Sequence, residues 1–506
     1  MVHDPSDRST VVFDDERVVV NAGILLAVTL ARRLGIEALI DRTVRLGDRP
    51  GAVRPGRKVL SLVFAMLLGA DCIDDCAVLR AGNTQALLGH RAMAPSTLGT
   101  FLRSFSFGYV RQLDQVLGVL IGRAWAAGAG PGQQRLVIDV DSFVGEVHGD
   151  QKQGAGYGYT GQRGYHPIVG TRSGTGEVLH VRLRKGSANT QRGVLRFLEE
   201  LVARVRRAGA TGPILVRADS GFWNKKAITY LRKQGALFSI GVPMHKSVAA
   251  QIALIADDAW QPVDDYPDSG VCELAEATLG DERLIVRRVH LHAQEHQTEL
   301  FTYWRHFAFL TNRTDNMLLV DAEHRQHAQV ELVVRDLKDQ ALAHFPSGHY
   351  SANSAWTVIA CLAHNLARWT DTLGLTDPTP RTTRTLRYRL FAVAGRLTHN
   401  ARAWTLTCPP AGHGNSRFSP RLSAYERYQR SPDSEVGTHE GDQRRTSALA
   451  CSKSAPPRRH NRLPGIPTAR PAPDDARAAV DQGAHAPNHT INPRPAADRD
   501  QTVDRG

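Results

Sequence analysis

Cysteine is scarce. Six residues (Cys72, Cys76, Cys272, Cys361, Cys408 and Cys451) are scattered over 506 positions. That density excludes a disulfide-stapled scaffold and suits a reducing compartment, so a cytoplasmic protein is expected. Long apolar runs are missing as well: Val18 to Ala31, interrupted by Asn21, and Val59 to Ala70 both fall short of the ~20 residues that cross a bilayer. The N-terminus, Met-Val-His-Asp-Pro-Ser-Asp, lacks a charged-then-apolar targeting pattern, and no internal repeat is visible. Acid is in deficit, with 63 Lys+Arg against 50 Asp+Glu and a formal charge of +13. Such a surplus points to a polyanionic partner, because Lys and Arg displace counterions condensed on phosphates. An apolar fraction of 42% and a charged fraction of 22% exclude wholesale disorder. The length suits two to three domains.

The pattern along the chain changes four times. Residues 1–130 read as helical, with Ser96 a plausible N-cap and Val110, Leu113, Val116, Leu117 and Leu120 on one helical face. The Gly-rich stretch from Ala127 to Gly132 reads as a linker. Strands then alternate with helices over 131–236: an apolar run Leu136-Val-Ile-Asp-Val-Asp141, a hairpin through Ser173-Gly-Thr-Gly176, a helix from Gly193 to Ala208, and a strand Ile214 to Asp219. This alternation predicts an α/β core. Residues 237–313 are rich in β-branched and aromatic side chains and read as a strand-rich insertion. Over 314–408 a strong helix from about Glu323 to His344 is expected, then another from Ser354 to Thr370. The tail, 409–506, is different. Residues 411–506 hold 11 of the 26 prolines and only 11 large apolar side chains, too few to offset the entropy of ordering, so a disordered tail is expected.

Acids stand at three places where metal chemistry would want them. Period-two geometry puts Asp139 and Asp141 on one face of the first strand, Asp219 ends the second, and Glu331 lies on the strong helix. Hard divalent cations take oxygen ligands, and a pair of such ions can serve both the attacking and the leaving oxygen of a phosphodiester. At 100° per residue, His324, His327, Glu331, Arg335 and Lys338 fall within about 40° of one line. Val330, Val333, Val334, Leu337 and Ala341 form the neighbouring apolar stripe. A solvated face with Glu331–Arg335 pairing is the bland alternative.

Asp141, Asp219 and Glu331, with 77 and 111 residues between them, resemble the catalytic triad of bacterial insertion-sequence DDE transposases. The chain is more specifically similar to the insertion-sequence family thirteen-eighty, of the Tyr-Arg-Glu-Lys signature group. The matching stretches are Ile138-Asp-Val-Asp-Ser142, Gln151-Lys-Gln-Gly154, Tyr157 to Pro167, Arg217-Ala-Asp-Ser-Gly-Phe222 and Val330 to Lys338. The resemblance implies an RNase H-like (retroviral-integrase-type) catalytic core, with Asp141, Asp219 and Glu331 as ligands of two Mg²⁺ ions, Mn²⁺ substituting. It implies double-stranded DNA as partner, both terminal inverted repeats and target, with the helical N-terminal region binding the repeats and at least a homodimer in the synaptic complex. Cut-and-paste transposition through a hairpin is the implied reaction. Three positions depart from the family: His324 stands for Tyr, His327 for Arg, and Phe143 for Thr.

Several alternatives stay open at this level. Asp139 is the alternative to Asp141 as ligand. Arg163, His324, His327, Arg335 and Lys338 are candidate DNA contacts, and Tyr157 to Pro167 is either a DNA-gripping loop or a Gly-rich hairpin. His290, His292 and His296 read as surface histidines rather than a zinc site, Cys72 and Cys76 as thiols without a second pair, and Trp223 and Trp304 as core packing rather than base-stacking platforms. A nuclease or resolvase without strand transfer, and an inactive frameshifted copy that only binds DNA, would carry the same motifs.

Overall fold

A computed structural model describes residues 14–158, 160–264, 270–291, 304–375, 381–400 and 403–408. The expected tail, 409–506, lies outside the described residues, as do His292 and His296. The chain divides into the units Met1–Ser434 and Glu435–Gly506, the second wholly outside them.

The N-terminal part is helical. After a short strand β1 (Val18–Val19) come α1 (Leu25–Arg33), α2 (Ile36–Thr43), α3 (Pro55–Leu67), α4 (Thr84–Leu88), α5 (Pro95–Arg103) and α6 (Phe107–Ala124). In α6 the expected face is the buried one: Leu113, Val116, Leu117 and Leu120 are at most 1% exposed. Proline opens α3 and α5 at a position where its missing N–H costs no helical bond. The stretch read as a linker is instead a packed π-turn (Trp125–Ala129). Trp125 and Ala129 are buried, and Trp125 Nε1 donates to Glu177 at 3.0 Å. Glycine there serves a bend, Gly128 having φ +110°, and not flexibility.

The strands that follow are β2 (Leu136–Ser142), β3 (Gly145–Glu146), β4 (Gly156–Tyr157), β5 (Arg163–Tyr165), β6 (Ile168–Arg172) and β7 (Val178–Arg182). Helix α7 (Val194–Ala208) crosses to β8 (Ile214–Ala218), and α8 (Lys225–Lys233) to β9 (Leu237–Gly241). After α9 (Lys246–Ala253) come β10 (Gln261–Pro262), β11 (Gly270–Leu279), β12 (Glu282–Leu291) and β13 (Arg305–Thr311). Nine of these form one sheet in the order β10-β11-β12-β13-β9-β8-β2-β6-β7. Within it β2 is antiparallel to β6 and parallel to β8, which is parallel to β9. The strand-rich segment is thus continuous with the main sheet, joined through β13 to β9. A separate small sheet, β3-β5-β4, holds the Gly-Tyr loop as a hairpin.

The single long helix expected from Glu323 to His344 is broken. It resolves into α10 (Met317–Arg325), a 3-10 turn at Gln326–Ala328, α11 (Gln329–Leu337) and a π-turn at Lys338–Leu342. The expected apolar stripe is still inward, Val330, Val334, Leu337 and Ala341 all being buried. Helix α12 (Tyr350–Gly374) is buried on nearly every side, with Trp356 and Trp369 fully enclosed. It packs against α1, α3, α5 and α6 on the helical side and against β7 of the sheet, so one core joins the two regions. The last described elements are α13 (Thr383–Leu386), β14 (Gly395–Asn400) and β15 (Ala403–Thr407), with β14 pairing back to β1. Among the described residues no helix is long and apolar enough to cross a membrane.

Candidate active site

The parallel ladder between β2 and β8 sets the first two acids. Its register pairs Asp139 with Arg217 and Val140 with Ala218, so the next residues along both strands are Asp141 and Asp219. Neighbouring strands lie ~4.8 Å apart, and residues in register on parallel strands share a face. That face is identified by its own contact: Arg217 grips Asp139 with both arms, Nε to Oδ1 at 2.7 Å and Nη2 to Oδ2 at 2.8 Å. The next in-phase positions are Asp141 and Asp219. Asp219 Oδ1 accepts from the Gly221 amide at 3.0 Å and caps the turn Ser220–Phe222. Gly241 on β9 makes room for that turn, since a Cβ there would sit 2.7 Å from the Ser220 nitrogen.

Helix α11 packs on β2 and brings the third acid. Asp141 and Glu331 line a pocket of about 460 Å³, together with Ser142, Phe143, Thr160, Gln162, Arg335 and Lys338. Burial pushes the Asp141 carboxyl up to about 6; the Ser142 amide and His327 oppose this, while Asp219 and Glu331 reinforce it by repulsion. Asp219 is likewise pushed above its ordinary value, by burial first, against the pull of His327. Asp141 therefore feels both of the other carboxylates. Among the described residues none of the three forms an Arg or Lys salt bridge, and the side chain that draws on Asp141 and Asp219 is His327.

The donor set fits a hard divalent cation, being oxygen only. Among the described residues two other groups hold three possible ligand atoms within 4.8 Å of one another, Asp71–Cys72–Asp75 and Asp114–His180–Glu200. The three acids are spread more widely. The Asp114 group is already filled with protein cations: Arg204 lies 2.7 Å and Arg111 3.0 Å from Asp114, and Arg196 2.9 Å from Glu200.

The family model described as "Transposase DDE domain group 1" matches residues 4–423. The chain belongs to this transposase family. No curated protein matches it. Among solved structures it is similar to a piggyBac transposase synaptic complex with hairpin DNA, determined by cryo-EM. The identity is 11% over 75% of this chain and 82% of that one, with a TM-score of 0.39.

For this DDE-family protein the structure separates the sequence candidates. Asp139 is 1% exposed and engaged on both oxygens by Arg217, with His327 Nδ1 at 3.2 Å from Oδ1, so it is a structural counter-ion beneath the site. Arg217 also donates to the Glu323 carbonyl and to Ser173 Oγ, tying β8 to α10 and to the β6–β7 turn. This clamp was missed at the sequence level, although Asp139 and Arg217 each stand two residues before an acid. His324 is corrected as a DNA contact. Its ring stacks on Phe309 at 4.0 Å, Nδ1 pairs with Ser239 Oγ at 2.9 Å, and burial pushes its pKa down to about 3. Arg163 is committed too: its guanidinium donates to the Gly149 and Asp150 carbonyls, and the same hairpin offers Thr160 and Gln162 to the pocket instead. Arg335 and Lys338 do face the pocket, with the Lys338 ammonium 5.3 Å from the centre of the Phe143 ring. Phe143 thus acquires a role as the floor under Lys338.

Proposed function

We propose that this protein is the transposase of a bacterial insertion sequence, of the family thirteen-eighty, which cuts DNA at the element's ends and joins the freed 3′-hydroxyl to target DNA. The observation that carries the reading is the convergence of Asp141, Asp219 and Glu331, from two parallel strands and a helix, on one under-neutralised site. The order of β7, β6, β2, β8 and β9, three antiparallel strands followed by two parallel ones, supports an RNase H-like core. Asp141, Asp219 and Glu331 would hold two Mg²⁺ ions, with Mn²⁺ substituting. When bound, such ions polarise the phosphoryl oxygens and favour the attacking and leaving oxygens of an in-line displacement.

The chain's own residues bind and orient. Arg335 and Lys338 flank Glu331 on the pocket wall, where they would hold DNA phosphates beside the scissile bond. His327 ties the helical segment to β2 through its 3.2 Å contact with Asp139, next to the acids. The partner is double-stranded DNA, the N-terminal helices taking the inverted repeats and a homodimer bringing two ends together.

The test is purified full-length protein with labelled end DNA and Mg²⁺ or Mn²⁺. Nicks at the element's ends followed by joined products are expected. Cleavage without joining would make it a nuclease or resolvase, and no cleavage with either metal would make it a binding protein only.

A further inference from the structure

Ser142 closes β2 next to Asp141 and lines the same pocket. Behind it stands His166, 2% exposed. The ring reaches two partners: Nε2 lies 2.9 Å from Ser142 Oγ and Nδ1 lies 2.7 Å from the Ala188 carbonyl oxygen. A carbonyl only accepts, so Nδ1 carries a ring proton. Burial lowers the His166 pKa, the Ala188 carbonyl opposing and Arg184 assisting, which favours a neutral ring with a bare Nε2. The single hydroxyl proton of Ser142 is therefore spent on Nε2.

The holder is itself built in. The His166 amide donates to the Arg184 carbonyl at 3.1 Å, and Arg184 Nε returns a bond to the His166 carbonyl at 2.9 Å. Arg184 Nη1 meanwhile donates to the Thr190 carbonyl at 2.9 Å, fixing the loop that carries Ala188. His166 is thus pinned on both its backbone and its ring.

With its proton turned away, Ser142 Oγ offers the pocket only lone pairs. Phosphodiester oxygens carry no proton at neutral pH and would gain nothing from it. Lone pairs recognise a hydrogen-bond donor, and the attacking hydroxyl is the donor that the proposed reaction brings to this pocket. We infer that Ser142 is a catalytic residue that accepts a hydrogen bond from the attacking hydroxyl, water in the first cut and the 3′-hydroxyl in joining, and that His166 is its positioning residue. Neither takes a proton from the nucleophile in this role; they aim its lone pair at phosphorus.

This inference rests on the proposed function. Single-turnover cleavage by the full chain tests it. Ser142→Ala and His166→Asn, the latter keeping a donor for Ala188 but losing reach to Ser142, should each slow the chemical step about tenfold, the worth of one neutral hydrogen bond. The double variant should be no slower than either single one, because the pair acts as a unit. End-binding affinity should not move, and Ser142→Thr, which keeps the hydroxyl, should restore the rate. Wild-type speed in Ser142→Ala, a multiplied defect in the double variant, or a change confined to affinity overturns the inference while the transposase reading stands. A wild-type protein that never cleaves overturns both. Should His166→Asn fail to fold, the Ala and Thr variants of Ser142 decide alone.

Discussion

Two acidic clusters in this protein are built from similar residues and reach opposite electrostatic states. Around Asp114 and Glu200 the chain supplies Arg111, Arg182, Arg196 and Arg204, with His180 between the two carboxylates at 3.4 and 3.1 Å. Burial alone would raise both acids; the His180 bonds and the guanidinium charges overcome it and hold Asp114 well below its ordinary value and Glu200 at about 2. Around Asp141 and Asp219 the balance is reversed: burial pushes both acids up, and at Asp141 the neighbouring Asp219 and Glu331 add repulsion. One cluster binds α6 to β7 and α7. The other, without an Arg or Lys salt bridge among the described residues, is where the proposed function places the divalent cation.

The largest expected effect separates chemistry from architecture. Asp219→Ala or Glu331→Ala should lower end cleavage by three or more orders of magnitude, the scale reached when one member of a catalytic set is lost. End binding, read by gel shift, should stay nearly intact, and Glu200→Gln should cleave normally per folded molecule. Robust cleavage by either active-site variant would erase the contrast.

That contrast was half visible in the sequence. Each acid of the site stands at a strand end or on an amphipathic helix, and strand ends and helix faces are local patterns. The counter-ions are not local. Arg204 meets Asp114 from the next helix in the chain, and Arg217 meets Asp139 across a parallel ladder, so neither pairing shows in spacing. The misreading of His324 has a geometric cause. A wheel drawn over residues 323–344 assumes one continuous helix, but the 3-10 turn at Gln326–Ala328 advances ~20° more per residue, about 60° in all. His324 consequently turns to Ser239 on β9, while His327 reaches Asp139 on β2.

Next in size is the cost of breaking the filled cluster. Asp114→Ala takes the carboxylate from buried Arg204 and leaves His180 with Glu200 alone, and should destabilise the fold by about 3–5 kcal/mol, read as a lower urea midpoint. A change under 1 kcal/mol would mean that the guanidiniums find water or other acceptors. Divalent metal should act on the other cluster only. Millimolar Mn²⁺ should raise the wild-type melting temperature by a few degrees, since a ligand at 100 times its Kd adds ~2.7 kcal/mol. Asp219→Asn should abolish that rise and Glu200→Gln should preserve it. An equal response in both variants would place the ion elsewhere.

The smallest effect is the pH dependence, and its sign differs between the clusters. Asp141 has its pKa raised from 3.8 to about 6, so its contribution favours the folded state below pH ~4 and is lost as pH rises through about 6. Glu200 is lowered from 4.5 to about 2, so its contribution is present above pH ~4.5 and is lost as pH falls through about 2. Without metal, Asp141→Asn should therefore stabilise the protein at pH 8, by roughly 1 kcal/mol after solvent screening, and do nothing at pH 4. Glu200→Gln should destabilise it at pH 7, with the deficit shrinking as the acid limb is approached. Denaturant titrations of the two variants across pH 4–8 should thus diverge from wild type in opposite directions at the alkaline end. Curves that shift the same way would show that the protein neutralises the Asp141 site itself, leaving no electrostatic reason for a cation there.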